Sequence, residues 1–198
     1  MRTARLEKHI AAAAAVAVAA SANAAVVVWN CNLVIPANID GLYINVEAQT
    51  SGTAGSVVAG WDINPYSATS LTWFNATGTG MMRYPGVTTG SAGSLAAGTV
   101  VGATGSYGSG AVTVGSAAGN WVLNASNYFG FRFIAADGLT HYGYGRMDVG
   151  AAITTRTLAF VAFESVAATS ITVLDPVPAP GARALLGVAG LAGNRRRR

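Results

Sequence analysis

The sequence predicts an all-β fold: a jelly-roll-like antiparallel β-sandwich, flanked by an N-terminal signal helix and a short C-terminal apolar helix. Three observations carry the β assignment. No stretch of the body holds a helical period. Short β-rich runs alternate with turns of Gly, Asn, Asp and Ser, as in a sandwich. Residues 127–149, NYFGFRFIAADGLTHYGYGRMDV, read as one long hairpin about Asp137-Gly138. A Gly-rich solenoid would leave a fixed-period repeat, and none is present. The 198 residues have room for one domain with terminal signals: a secretory signal peptide over 1–24, the β-domain over 25–175, and a tail over 176–198.

Taken in order, the chain begins with a basic segment (Arg2, Arg5, Lys8) and an apolar run from Ile10 to Ala20. Ala22-Asn23-Ala24 is a small-x-small site, which places cleavage after Ala24 and implies the Sec machinery and signal peptidase as partners. Val26 to Trp29 is a strand, Asn30-Cys31-Asn32 a turn, and Leu33 to Ile35 a short continuation up to Pro36. Asn38 to Gly41 has turn chemistry, and Leu42 to Val46 is a strand. Val57 to Ile63 is expected to be extended and to stop at Pro65, which has no N–H for a ladder. Ser70 to Asn75 follows, with Leu71 and Trp73 on one face. From Thr77 to Gly119 small residues dominate, and Thr99 to Ala103 and Ala111 to Val114 stand out as strands. Thr157 to Ser165 and Ser170 to Leu174 close the body.

The hairpin is the most specific element. A two-residue type I′ turn at Asp137-Gly138 sets Phe133 opposite Tyr142, Phe131 opposite Tyr144 and Phe129 opposite Arg146. Those pairs share a face, because side chains alternate along a strand. The other face then carries Tyr128, Gly130, Arg132 and Ile134 against His141, Gly143, Gly145 and Met147. Phe129, Phe131, Phe133, Tyr142 and Tyr144 are thus expected to form one aromatic wall facing the interior.

Charge excludes one class of partner. Three of the twelve basic residues precede Ala25 and five follow Pro176. The body keeps four basic residues against seven acids, which does not suit nucleic acid. No catalytic residue, cofactor or metal site is predicted. His141 sits beside a tight turn with no nucleophile motif around it, and the aspartates (Asp40, Asp62, Asp137, Asp148) follow no calcium-loop spacing. Cys31, the single cysteine, reads as a small hydrophobe or as an intermolecular bridge. Trp61, Trp73, Tyr142 and Tyr144 are candidate ligand-stacking residues, for sugar rings in particular.

The tail has three parts: Pro178-Ala179-Pro180, an apolar run from Ala184 to Gly193, and Arg195, Arg196, Arg197 and Arg198. It resembles the PEP-CTERM sorting signal of Gram-negative bacteria, with Ala179 where that family has glutamate and Arg183 shortening the apolar run. The resemblance implies an exosortase as processing partner and transient inner-membrane anchoring before release to the cell envelope or exterior. DGLYINV (40–46), GWDINPY (60–66), LAAGTVVG (95–102) and the hairpin are similar to a domain in proteins with such tails. That family is associated with exopolysaccharide and biofilm matrix. The implied function is a non-enzymatic envelope or matrix protein; the alternative is a secreted carbohydrate-binding or carbohydrate-active protein.

Overall fold

A computed structural model of the protein describes residues 24–90, 92–115 and 119–174. The strands are β1 (Val26–Trp29), β2 (Leu33–Val34), β3 (Tyr43–Asn45), β4 (Thr50–Gly52), β5 (Ile63–Tyr66), β6 (Thr72–Asn75) and β7 (Gly80–Met82), then β8 (Val100–Val101), β9 (Tyr107–Gly108), β10 (Gly110–Ala111), β11 (Ala125–Ile134), β12 (Thr140–Val149), β13 (Arg156–Glu164) and β14 (Ile171–Thr172). Every strand pairing is antiparallel.

The strands make three sheets rather than the two of a sandwich. The central one has the order β1-β13-β12-β11-β7-β9, with β2 also on β13. A five-stranded sheet, β10-β6-β5-β3-β4, supplies Ile44, Ile63, Leu71 and Trp73 to one face of it, where they meet Phe129, Phe131, Phe133, Met147 and Leu158. The small β14-β8 sheet supplies Ile171 and Val101 to the opposite face, where Tyr142, Tyr144, Phe160 and Ala162 lie. The central sheet is therefore covered on both faces, and the jelly-roll expectation is corrected to an all-β, multi-sheet fold.

The hairpin forms, but its register differs from the expected one by one residue. Gly138 N–H donates to Ala135 O (2.9 Å) and Ala135 N–H to Leu139 O (3.1 Å), which closes a three-residue loop. Gly138 alone takes a positive φ, +77°. Asp137 stays outside that region, its carboxylate accepting from Leu139 N–H at 2.8 Å. This is the type I turn with a glycine bulge, not type I′. Phe133 consequently faces His141, Phe131 faces Gly143 and Phe129 faces Gly145. A one-residue slip exchanges the faces of one strand, so the expected wall is split. All five rings are buried, but Tyr142 and Tyr144 belong to the opposite core from the phenylalanines.

The observed register explains two glycines. A Cβ on Gly143 would stand 2.4 Å from Phe131 Cζ, and one on Gly145 2.6 Å from Phe129 Cζ. Each phenyl ring lies across the strand into the space that a glycine leaves. On the next strand Ala159 bulges out between the Arg146–Phe160 and Met147–Leu158 pairs. Its carbonyl accepts from both Cys31 and Asn32 N–H, which divides β1 from β2. Cys31 is half-buried there with its thiol on Leu158 O, and burial raises its pKa.

The expected flanking helices have no counterpart among the described residues, and the stretches assigned to them lie almost wholly outside those residues. Among the described residues the helical element is one 3-10 turn, Gly55–Val57, and no helix is long and apolar enough to cross a membrane. The readings that rested on such helices are not retained: signal peptide, Sec and exosortase partners, and transient membrane anchoring. Ala22, Pro178, Ala179, Pro180 and Arg195 to Arg198 lie outside the described residues; Ala24 is exposed.

Candidate functional site

On the five-stranded sheet, Ile44 and Ile63 oppose one another and point inward. Alternation then turns Tyr43 and Asn64 outward, and Phe74 joins them because it pairs with Asn64. The chain before β5 does not form the expected strand from Val57 to Ile63. Gly60 takes φ +64° and the segment doubles back, with Asn45 Nδ2 holding Ala59 O and Gly60 O, both at 2.9 Å. On the other side of Trp61, Asp62 N–H donates to Ile44 O (2.8 Å) and the Asp62 carboxylate accepts from Val46 N–H (2.8 Å).

Trp61 is thus fixed between two clamps and set against the outer face. Its ring meets Tyr43 edge-on (5.1 Å between centroids, 79°) and lies tilted beside Phe74 (5.7 Å, 33°). Trp61 and Tyr43 are half-buried, and Phe74 is 53% exposed. Gly55 closes the cluster from the 3-10 turn, since a Cβ there would meet both Tyr43 and Trp61 at 3.0–3.1 Å. β5 runs through Pro65 rather than stopping there. Pro65 O accepts from Leu42 N–H (3.1 Å), so the proline nitrogen faces a side where only an acceptor is needed.

Of the four predicted stacking residues, Trp61 alone lies in this cluster. Trp73 is buried, 4.8 Å from Phe129 between centroids. Tyr142 and Tyr144 are buried in the other core, so none of the three offers a ring face to a ligand. Tyr43 and Phe74 were the residues missed. The signal for Phe74 was present, because assigning Leu71 and Trp73 inward puts Phe74 outward.

The titratable groups are held structurally. His141 is buried, with Nδ1 at 2.9 Å from Glu164 O and Nε2 at 3.1 Å from Asp137 Oδ2. A carbonyl only accepts, so Nδ1 carries a proton and Nε2 faces a carboxylate. Burial lowers the His141 pKa, but the Glu164 and Asp137 bonds outweigh it and the net shift is upward. Neither nitrogen is open to a substrate proton. Burial pushes the Asp62 carboxyl up to about 6, against the Val46 bond and with Glu47 adding to the rise. Among the described residues no three His, Cys, Asp or Glu side chains converge as metal ligands. A shallow cavity of about 290 Å³ by Arg83, Tyr84 and Ser106 is separate from the aromatic cluster, and Arg83 there bonds Gly90 O, Ser106 Oγ and Tyr107 O.

No family model, curated protein or solved structure matches the chain.

Proposed function

We propose that this is an exported, non-enzymatic domain of the cell envelope or extracellular matrix, acting by binding through the Tyr43–Trp61–Phe74 face. The observation that carries the reading is the exposed Phe74 ring beside a clamped Trp61. Burying that ring would contribute stability, so leaving it in solvent fits a contact surface better than a packing element. Rigid strands and short clamps hold the rings before any partner arrives, which reduces the ordering cost of binding. The engaged nitrogens of His141, the body's one histidine, favour binding over acid–base chemistry. The PEP-CTERM resemblance of residues 178–198 supports an exported setting.

Two measurements test this. Fractionating the native host should find the protein in the envelope or medium. Recovery of the full chain from the cytosol would overturn the exported reading. For the binding part, Phe74→Ala should abolish retention of the full chain by extracted native matrix while leaving its circular dichroism unchanged. Equal retention of wild type and variant would remove this face from the function.

A further inference from the structure

Resting on that reading, we infer that the occupant of the Tyr43–Trp61–Phe74 face is an uncharged polysaccharide. Three features of the face select it. The first is the rings themselves. The face of an aromatic ring is negative and meets the electropositive C–H side of a sugar ring without desolvating a charge. Half-buried Trp61 and exposed Phe74, 33° apart in plane, lie side by side on the outer face of the sheet, next to the buried Asn64, and offer adjoining surfaces to neighbouring sugars.

The second feature is charge. Asp40 lies beside the rings, its backbone carbonyl accepting from Asn64 Nδ2 at 2.8 Å between Tyr43 and Phe74, whereas the Glu47 carboxylate is held by the hairpin loop, accepting from Ala136 N–H at 2.7 Å. Asp62 follows Trp61 but is buried. The four described arginines are engaged elsewhere. Arg83 bonds Gly90, Ser106 and Tyr107, and Arg132 lies over Tyr107. Arg146 pairs with Asp148, and Arg156 is buried among the carbonyls of Pro36, Ser67 and Ser70. Among the described residues a carboxylated or sulfated glycan would find no free cation at this face. A neutral one needs none, and its hydroxyls can donate to exposed oxygens such as the Asp40 carboxylate.

The third feature is area. Two partly exposed rings offer at most a few hundred Å², well below the roughly 1,200–2,000 Å² of a stable protein interface. A sugar unit needs only a ring face and its neighbouring polar groups.

The experiment is affinity electrophoresis of the full chain through gels holding dextran, soluble β-glucan, alginate or polygalacturonate, with light scattering in parallel. Phe74→Ala, Phe74→Tyr and Trp61→Phe are the variants, each checked by circular dichroism. Retardation by a neutral glucan, weaker by about tenfold or more in Phe74→Ala and kept in Phe74→Tyr, is the expected result. Stronger retardation by alginate or polygalacturonate overturns the inference and leaves the binding function standing. So does self-association that Phe74→Ala removes, which would make a second copy the occupant. No retardation in any gel, with no self-association, overturns both readings.

Discussion

The phenylalanines of the central sheet and the one on the outer sheet have the same chemistry and opposite fates. Phe131 sits at mid-strand with no exposure, lying against Gly143 on the neighbouring strand. Phe74, also within a strand, is 53% exposed. Alternation assigns each ring to one face of its sheet but does not say whether that face is covered. What separates them is cover: the central sheet is covered on both faces, whereas the outer face of the five-stranded sheet is covered over Asn64 and left open at Phe74. An aromatic ring on an outward row therefore stays out unless another element reaches it, and here only the Trp61 turn does.

Truncating the interior ring should have the largest effect. Phe131→Ala removes a phenyl group packed against Phe129 (6.1 Å) and Phe133 (5.9 Å) and leaves a void over Gly143 that the backbone cannot fill. The expected loss is about 3–5 kcal/mol, read as a lower urea midpoint at unchanged slope. A loss below about 1 kcal/mol would mean that the Phe–Gly interlock is not what holds the sheet.

Next in size is the tie between the sheets. Arg156 on β13 is buried without a carboxylate partner and donates to Pro36 O, Ser67 O and Ser70 O, all in loops that flank strands of the outer sheet. Burial lowers its pKa to about 10, so it remains charged at neutral pH. Arg156→Ala should orphan three carbonyls at a cost of about 3 kcal/mol. Arg156→Lys should not restore it, because an ammonium lacks the guanidinium fork. Full stability in the lysine variant would show that charge rather than geometry makes the tie.

Asp62 sharpens the comparison from the outer sheet, with the opposite sign. Its folded pKa of about 6 lies above the unfolded value of 3.8. Below the lower value the carboxyl is protonated in both states and costs nothing. Between the two the folded state binds more protons, so stability falls as pH rises, by up to about 3 kcal/mol once pH exceeds 6. Asp62→Asn keeps an acceptor for Val46 N–H and removes the charge. It should be more stable than wild type at pH 7.5 and equal to it below pH 4. His141 also titrates toward lower stability with rising pH, but around and above 6.5, so the difference between the two proteins isolates Asp62. A constant difference across pH 4–8 would mean that the carboxyl is not desolvated.

Which parts of this were legible beforehand follows the strength of the local signal. Val26–Trp29, the long hairpin, β13 and the inward set of Leu71 and Trp73 could be read because large apolar residues recur at strand spacing. β7 and β9 were not anticipated, since Gly80-Met81-Met82 and Tyr107-Gly108 carry no alternation and are defined by their neighbours. The hairpin register was lost at one residue, Asp137. Asp-Gly suits a type I′ turn by composition, but a carboxylate bonded to Leu139 N–H and His141 leaves Gly138 to supply the only positive φ. The stacking residues failed for a related reason. Tyr142 and Tyr144 stand on a strand face that only a third sheet covers; β8 and β14 are readable as short strands, but nothing in their residues says that they pair with each other over that face.

The smallest expected effect is the counterpart of the first. Phe74→Ala removes the same phenyl group as Phe131→Ala, from a strand of the same fold. Phe74 already spends half its surface in water, so little transfer free energy is at stake, and no cavity is left beneath it. What is lost is its tilted contact with Trp61, and such pairs contribute about 0.5–1.5 kcal/mol. Trp61 keeps its edge contact with Tyr43 and both backbone clamps, so the net loss should sit at the low end, under about 1 kcal/mol. Urea unfolding of the two variants side by side gives the contrast directly. If Phe74→Ala costs as much as Phe131→Ala, the ring belongs to the core in solution, and its exposure cannot mark a binding face. If the cost is small, the exposed ring has no structural duty that accounts for it, and the binding role proposed for that face gains weight.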